Sequence, residues 1–184
     1  MHFPGTAGLA EDILIEPLRE HDIAALVALA RDTWMHHYPS IIGMAQIEYM
    51  LAQRYQPEAI RAQLAQPDLW WDVLRLNGQL AAFAAYETGP AATDMKIDKL
   101  YARHDLRGRG MGSALLRHVA ARARARGCTR LWLQVNRHNA SAIAMYLSNG
   151  LRIEREAVAD IGGGFVMDDY IMGMSLAGPR AGAA

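Results

Sequence analysis

The chain has 184 residues, 52% of them apolar and 21% charged. That composition suits one globular domain, or one domain with a small appendage, and it provides enough apolar side chains for a sizeable core. Nineteen basic side chains balance nineteen acidic ones, so no charge excess points to nucleic acid. The one cysteine, Cys128, has no partner for an internal disulfide, which fits a reducing, cytoplasmic setting.

The opening MHFPGTAGLAED lacks the basic and apolar regions of a signal peptide, and residues 1–12 are expected to be a flexible lead. No stretch reaches the roughly 20 apolar residues that span a bilayer, so no membrane partner is expected. ILIEPL (13–18) predicts a short strand. In REHDIAALVALARDTW (19–34), Ile23, Leu26, Val27 and Ala30 recur at helical spacing. IGMAQIEYMLAQRY (42–55) and PEAIRAQLAQ (57–66) predict two short helices, the second opened by Pro57 at a favourable first-turn position.

LWWDVLRL (69–76) and QLAAFAAYE (79–87) predict two antiparallel strands joined by the tight turn Asn77-Gly78. GPAATD is a loop. MKIDKLYA (95–102) alternates as a strand, which would put Ile97, Lys99 and Tyr101 on one face and Asp98 and Leu100 on the other. SALLRHVAARARARG (113–127) predicts a helix with Ala114, Leu115, Val119 and Ala123 inward. Arg122, Arg124 and Arg126 load its last turns, where cations suit the helix dipole, and Gly127 ends it. RLWLQV (130–135) is a strand, and NASAIAMYLSNG (139–150) a helix. LRIEREAVAD (151–160) and DDYIMGMSL (168–176) close the domain as strands around IGGG. The order is α+β, and the Gly/Ala-rich end, 178–184, is expected to be disordered.

Between the third strand and the long helix stands RGRGMG, with Gly108, Gly110 and Gly112 in alternation. Glycine is costly to order, so three in five residues need a reason. A helix start leaves backbone N–H groups without partners and adds partial positive charge. Glycines let a phosphate approach those groups, and Arg107 and Arg109 add charged donors. The spacing is neither the G-x-G-x-x-G of a dinucleotide fingerprint nor a P-loop, which needs a lysine after its last glycine. Taken alone, the glycines fit a pyrophosphate cradle and a ligand-free turn equally well.

The run LYARHDLRGRGMGSALL resembles the acetyl-CoA signature of the GNAT N-acetyltransferase superfamily, [RQ]-x-x-G-x-[GA], through Arg107, Gly110 and Gly112. Further on, NASAIAMY resembles that family's N-x-x-A-x-x-x-Y segment through Asn139, Ala142 and Tyr146. TWMHHYPSIIGMAQIEYMLAQRY with PEAIRAQL is similar, more loosely, to the front of bacterial diamine or spermidine acetyltransferase-like members. The resemblance covers about residues 13–177. It implies the GNAT acyl-CoA N-acyltransferase fold, an α/β/α sandwich whose mixed, mostly antiparallel sheet is flanked by helices. It also implies acetyl-CoA as co-substrate without a metal, a primary amine as acceptor, either a small molecule such as a polyamine or a peptide or protein amine, and a possible homodimer.

Carried over position by position, the resemblance implies a pyrophosphate loop of Arg107, Gly108, Arg109, Gly110, Met111, Gly112 and Ser113. Leu100, Tyr101 and Ala102 would pair their backbone with the pantetheine arm, and an amide there would face the thioester oxygen. The strands 96–102 and 130–135 should splay to admit it. Tyr146 would protonate the departing thiolate, and Asn139 would bond the cofactor, cap its helix, or both. The family often has a glutamate where this chain has Lys96, so the general base is open between Asp98 and Glu87. A leucine, Leu151, replaces the usual phenylalanine. His36, His37 and Tyr38, after the first helix, would meet the acceptor.

Adjacent histidines lack the spacing of a helical metal pair, so no metal is expected. Cys128 reads as a small buried residue, which argues for direct transfer with no acyl-enzyme. Two rivals stand beside this reading. One is an acyl-CoA-binding sensor of the same fold without turnover. The other is a nucleic-acid binder using Arg103, Arg107, Arg109 and the 122–126 run, which the neutral charge opposes. Glu48, Glu87 and Asp98 would favour a cationic acceptor if they shared the cleft.

Overall fold

A computed structural model describes residues 12–177. The expectations for residues 1–11 and 178–184 lie outside the described residues. Seven strands form one sheet, in the order β1-β2-β3-β4-β5-β7-β6. They are β1 (Ile13–Pro17), β2 (Leu69–Leu76), β3 (Gln79–Thr88), β4 (Asp94–Ala102), β5 (Arg130–Asn136), β6 (Arg152–Gly162) and β7 (Phe165–Ser175). Every neighbouring pair is antiparallel except β4–β5. The helices are α1 (Ile23–His37), α2 (Met44–Arg54), α3 (Pro57–Leu64), α4 (Met111–Ala125) and α5 (Ala140–Ser148).

Alternation along each strand sends apolar side chains to both faces, and each face has its own core. Helices α1 to α3 cover one with Leu26, Trp34, Ile47 and Ile60, packed on Trp71, Val73 and Phe83. On the other, α4 and α5 bring Leu115, Val119 and Tyr146 onto Leu74, Ile97 and Leu131. This is the expected α/β/α sandwich. Asn77 and Gly78 turn the first hairpin with φ of 50° and 80°, both positive as a two-residue hairpin turn requires.

Two expectations change. First, α1 runs on to His37, so His36 and His37 sit in its last turn and only Tyr38 follows it, opening a short 3-10 turn. Second, β4 does not alternate unbroken. Opposite β3 the pairing jumps from Ala85–Lys99 to Tyr86–Ile97, so Asp98 is an extra residue, a β-bulge. Met95, Ile97, Leu100 and Ala102 all pack on the α4–α5 face. Tyr101 packs on the opposite face, and the Lys99 ammonium lies 5.0 Å from the ring of Trp71 on that side. Ile97 and Lys99 therefore stand on opposite faces, because the bulge shifts the alternation by one.

The bulge falls where β4 leaves β5. Parallel pairing covers only Asp94–Ile97 against Arg130–Leu133. Beyond it, β4 stays with β3, and β5 stays with β7 through Asn136 opposite Asp169. The expected splay is present, and it holds the site open.

The arginines of α4 are more engaged than a solvated face. Arg126 stacks 4.2 Å above the Trp70 ring, and Arg124 donates to the carbonyl of Leu176 at 3.4 Å. Arg122 approaches the buried carboxylate of Asp72 at 3.9 Å. The same Asp72 oxygen accepts the Tyr86 hydroxyl at 2.6 Å and meets His118 Nε2 at 2.9 Å. These contacts tie α4 to the sheet. Cys128 is buried, and burial raises its thiol pKa.

Candidate active site

A cavity of about 760 Å³ fills the gap between the parted strands. Its walls are residues 96–102 of β4, 133–136 of β5, the glycine loop, α5, the ends of α1 and α2, and Ala159, Ile161, Met167 and Asp169 of β6 and β7.

At one end, Gly108 and Gly110 take φ of 76° and 81°, the left-handed region. No atom lies within 4 Å of where their side chains would stand. Helix α4 begins at Met111, and Ala114 is the residue whose N–H reaches back to Gly110, at 2.9 Å. The amides of Met111, Gly112 and Ser113 thus have no carbonyl one turn behind them. Together with Arg107, which also lines the cavity, they suit a diphosphate. Ser113 Oγ accepts from Asn149 at 2.9 Å. A methyl at Gly112 would meet only Met145 and Leu100, at 3.5 and 3.6 Å. Arg109 lies outside the lining.

Tyr146, on α5, lines the cavity and is buried. Burial, with Tyr38 nearby, pushes its phenol well above the ordinary tyrosine value. It is therefore protonated at neutral pH, as a proton donor must be. Asn139 caps the same helix: its Oδ1 accepts from the Ala142 amide at 3.3 Å and from His37 Nε2 at 2.8 Å. Burial lowers the His37 pKa, keeping the ring neutral with its proton toward Asn139.

The far end is aromatic and charged. Trp34 and Tyr38 pack at 4.4 Å between centroids, and the Tyr38 and Tyr101 hydroxyls lie 3.4 Å apart. Asp98 sits among three cations: Arg54 Nη2 at 2.6 Å, Lys96 Nζ at 3.8 Å and Lys99 in direct contact. Adjacent side chains meet in this way only because the bulge breaks the alternation. Burial alone would raise the Asp98 pKa, but Lys99 and Arg54 outweigh it and hold it at about 2.

A carboxylate so stabilised is a feeble proton acceptor, which weighs against Asp98 as the general base. Glu87 does not fit the role either. It pairs with Lys96 at 3.0 Å and lies outside the cavity lining. Of the three residues expected at the acceptor, His37 and Tyr38 line the cavity, whereas His36 does not. It stacks on His104 at 3.9 Å. Asp32, His36 and His104 place one ligand atom each within 4.8 Å of one another at the surface, outside the cavity lining.

The sequence reading also passed over Asp169 on β7. It lines the cavity, is 3% exposed, and its Oδ1 has no hydrogen-bond partner among the described residues. Burial and the neighbouring Asp168 raise its pKa to about 6, against a lowering pull from Arg54. The alternation that buries Ile171 buries Asp169 as well, the one signal in the sequence that could have found it.

The acetyltransferase (GNAT) family model matches residues 23–151. The chain belongs to that family. It is an acetyl-CoA-dependent N-acetyltransferase. It is similar to an uncharacterised N-acetyltransferase of Lactobacillus delbrueckii subsp. lactis, 22% identical and covering 82% of this chain and 90% of the relative. It is also 23% identical to the spermidine N(1)-acetyltransferase of Thermoplasma acidophilum, over 77% of this chain and 89% of the relative. The PaiA N-acetyltransferase of Thermoplasma acidophilum, crystallised with coenzyme A, shares the fold at a TM-score of 0.77 and 22% identity. That alignment covers 89% of this chain and 99% of the other. Among the described residues no helix is long and apolar enough to cross a membrane.

Two substitutions separate the glycines of this acetyltransferase. Gly110→Ala forces a side chain into the left-handed region at a cost of about 1–2 kcal/mol and fills the cradle. Coenzyme A binding, read by calorimetry, should weaken at least about tenfold. Gly112→Ala should leave unfolding stability equal, or raised by about 0.5–1 kcal/mol, because the residue is helical and the methyl has room.

Asp98→Asn strands three cations around one neutral amide and should cost about 3–5 kcal/mol in urea unfolding. The wild-type contribution is fully present above the unfolded value of about 3.9 and fades as pH falls through about 2. The variant's deficit should therefore shrink in strong acid.

Proposed function

We propose that this acetyltransferase moves the acetyl group of acetyl-CoA directly onto a primary amine held at the far end of the cavity, and that it does so in the cytoplasm. The observation that carries this reading is the continuity of one cavity from the glycine loop, past Tyr146, to the Tyr38–Asp98 end.

In this reading the amides of Met111, Gly112 and Ser113, with Arg107, grip the diphosphate. The edge of β4 freed by the splay pairs with the pantetheine amides as an added strand would. A preorganised amide near Leu100 or Tyr101 receives the charge that develops on the thioester oxygen. Tyr146, protonated at neutral pH, gives its proton to the sulfur as the C–S bond breaks, when the charge on sulfur is developing. The buried thiol of Cys128 is no nucleophile, in keeping with attack by the amine itself.

Thiol release from acetyl-CoA across an amine panel tests the reading. Tyr146→Phe should lower kcat by about 10²–10⁴ while leaving KM for acetyl-CoA unchanged. Undiminished kcat would remove Tyr146 as the acid. Initial-rate patterns should be sequential, and a trapped acetyl-enzyme with ping-pong kinetics would overturn direct transfer.

A further inference from the structure

The acceptor end holds one carboxylate with nothing to neutralise or hydrogen-bond one of its oxygens. Asp169 is 3% exposed, and its Oδ1 has no partner among the described residues. A buried, unsatisfied polar atom is costly, more so when charged. An asparagine or an apolar residue would spare the fold that cost. Such a group persists where a ligand supplies the missing donor.

The surroundings say what kind of donor. Among the described residues lining the cavity, only Asp98 and Asp169 are acidic. Asp98 is already surrounded by Arg54, Lys96 and Lys99. One carboxylate is thus left for one cation. A second ammonium on the same ligand would meet three positive side chains and no unpaired acid. Trp34, Ile42, Met50, Ile161 and Met167 add apolar wall, among the neutral polar groups of Thr33, His37, Tyr38 and Tyr101.

We propose that the acceptor is a primary amine carrying a single positive charge on an apolar body, and that Asp169 binds its ammonium and takes its proton. This rests on reading the cavity as the site of acetyl transfer. An alkyl ammonium titrates near 10.4, so at neutral pH it must give up a proton before its nitrogen can attack. Asp169 Oδ1 accepts that proton and passes it to solvent. The freed lone pair forms the C–N bond as the C–S bond breaks. Sulfur takes the Tyr146 proton, and the nitrogen's second surplus proton restores the phenol. The products are amide, thiol and one released proton.

Asp169 suits the role better than Asp98, since a carboxylate held at about 6 is a far stronger acceptor than one held at about 2. The charged and titratable groups facing it are Arg54 from α2, Tyr38 from the turn after α1, and Asp168 on its own strand.

The test compares phenethylamine and n-hexylamine with spermidine, using wild type, Asp169→Asn and Asp169→Glu. Wild-type kcat/KM for either monoamine should exceed that for spermidine at least tenfold and fall below a pH near 6. Asp169→Asn should lose at least a hundredfold in kcat/KM, bind phenethylamine more weakly in calorimetry on the coenzyme A complex, and lose the acid limb. Asp169→Glu should restore part of the rate and the limb.

The wild-type carboxyl contributes stability fully present below about pH 3.9 and lost as pH rises through about 6. Asp169→Asn should therefore melt no lower than wild type at neutral pH. Preference for spermidine, no turnover of either monoamine by an enzyme that binds acetyl-CoA, or an Asp169→Asn variant within threefold of wild type with its pH limb intact would each overturn the proposal. Failure of wild type to bind acetyl-CoA would instead defeat the underlying reading of the cavity.

Discussion

One extra residue in one strand shapes this molecule. Asp98 has no partner on β3, and at that point β4 parts from β5. A sheet seldom leaves backbone edges open in its interior, because unpaired amides and carbonyls are expensive. Here the opening is enforced from both sides, since β4 remains paired to β3 and β5 to β7. The same bulge turns Asp98 and Lys99 toward each other, so a single irregularity supplies both the gap and its charged lining.

The two acids of the cavity then divide by environment. Asp169 is buried and Asp98 partly so, and desolvation alone would raise both pKa values. Three cations reverse that at Asp98, while Asp169 has only a partial pull from Arg54 against the push of Asp168. One carboxylate becomes a fixed structural anion, and the other can still exchange a proton near neutrality. A pair of like groups set apart in this way marks a division between scaffold and chemistry.

The layers of the fold were legible from period and turn chemistry. Asn77-Gly78, the helical spacing of Ile23, Leu26 and Ala30, and the position of the glycines between strand and helix were local signals, and the structure places those elements accordingly. Asn139 and Tyr146 were legible because one short helix carries both. The bulge was not, since it is a property of register and register belongs to two strands. Nor was the pairing of Asp98 with Arg54, 44 residues apart, or the meeting of Asp32 with His104, 72 apart. Asp169 was hidden in a strand that otherwise reads as core, where a single acid draws notice only once its surroundings are known.

The bond from His37 to Asn139 joins residues 102 apart in the chain. It fastens the tail of α1 to the head of α5, and Tyr146 rides on the same short rod two turns along. The helices on the two faces of the sheet are thereby joined directly to each other. Losing the Asn139 amide oxygen would therefore release the tail of α1 and uncap α5 together.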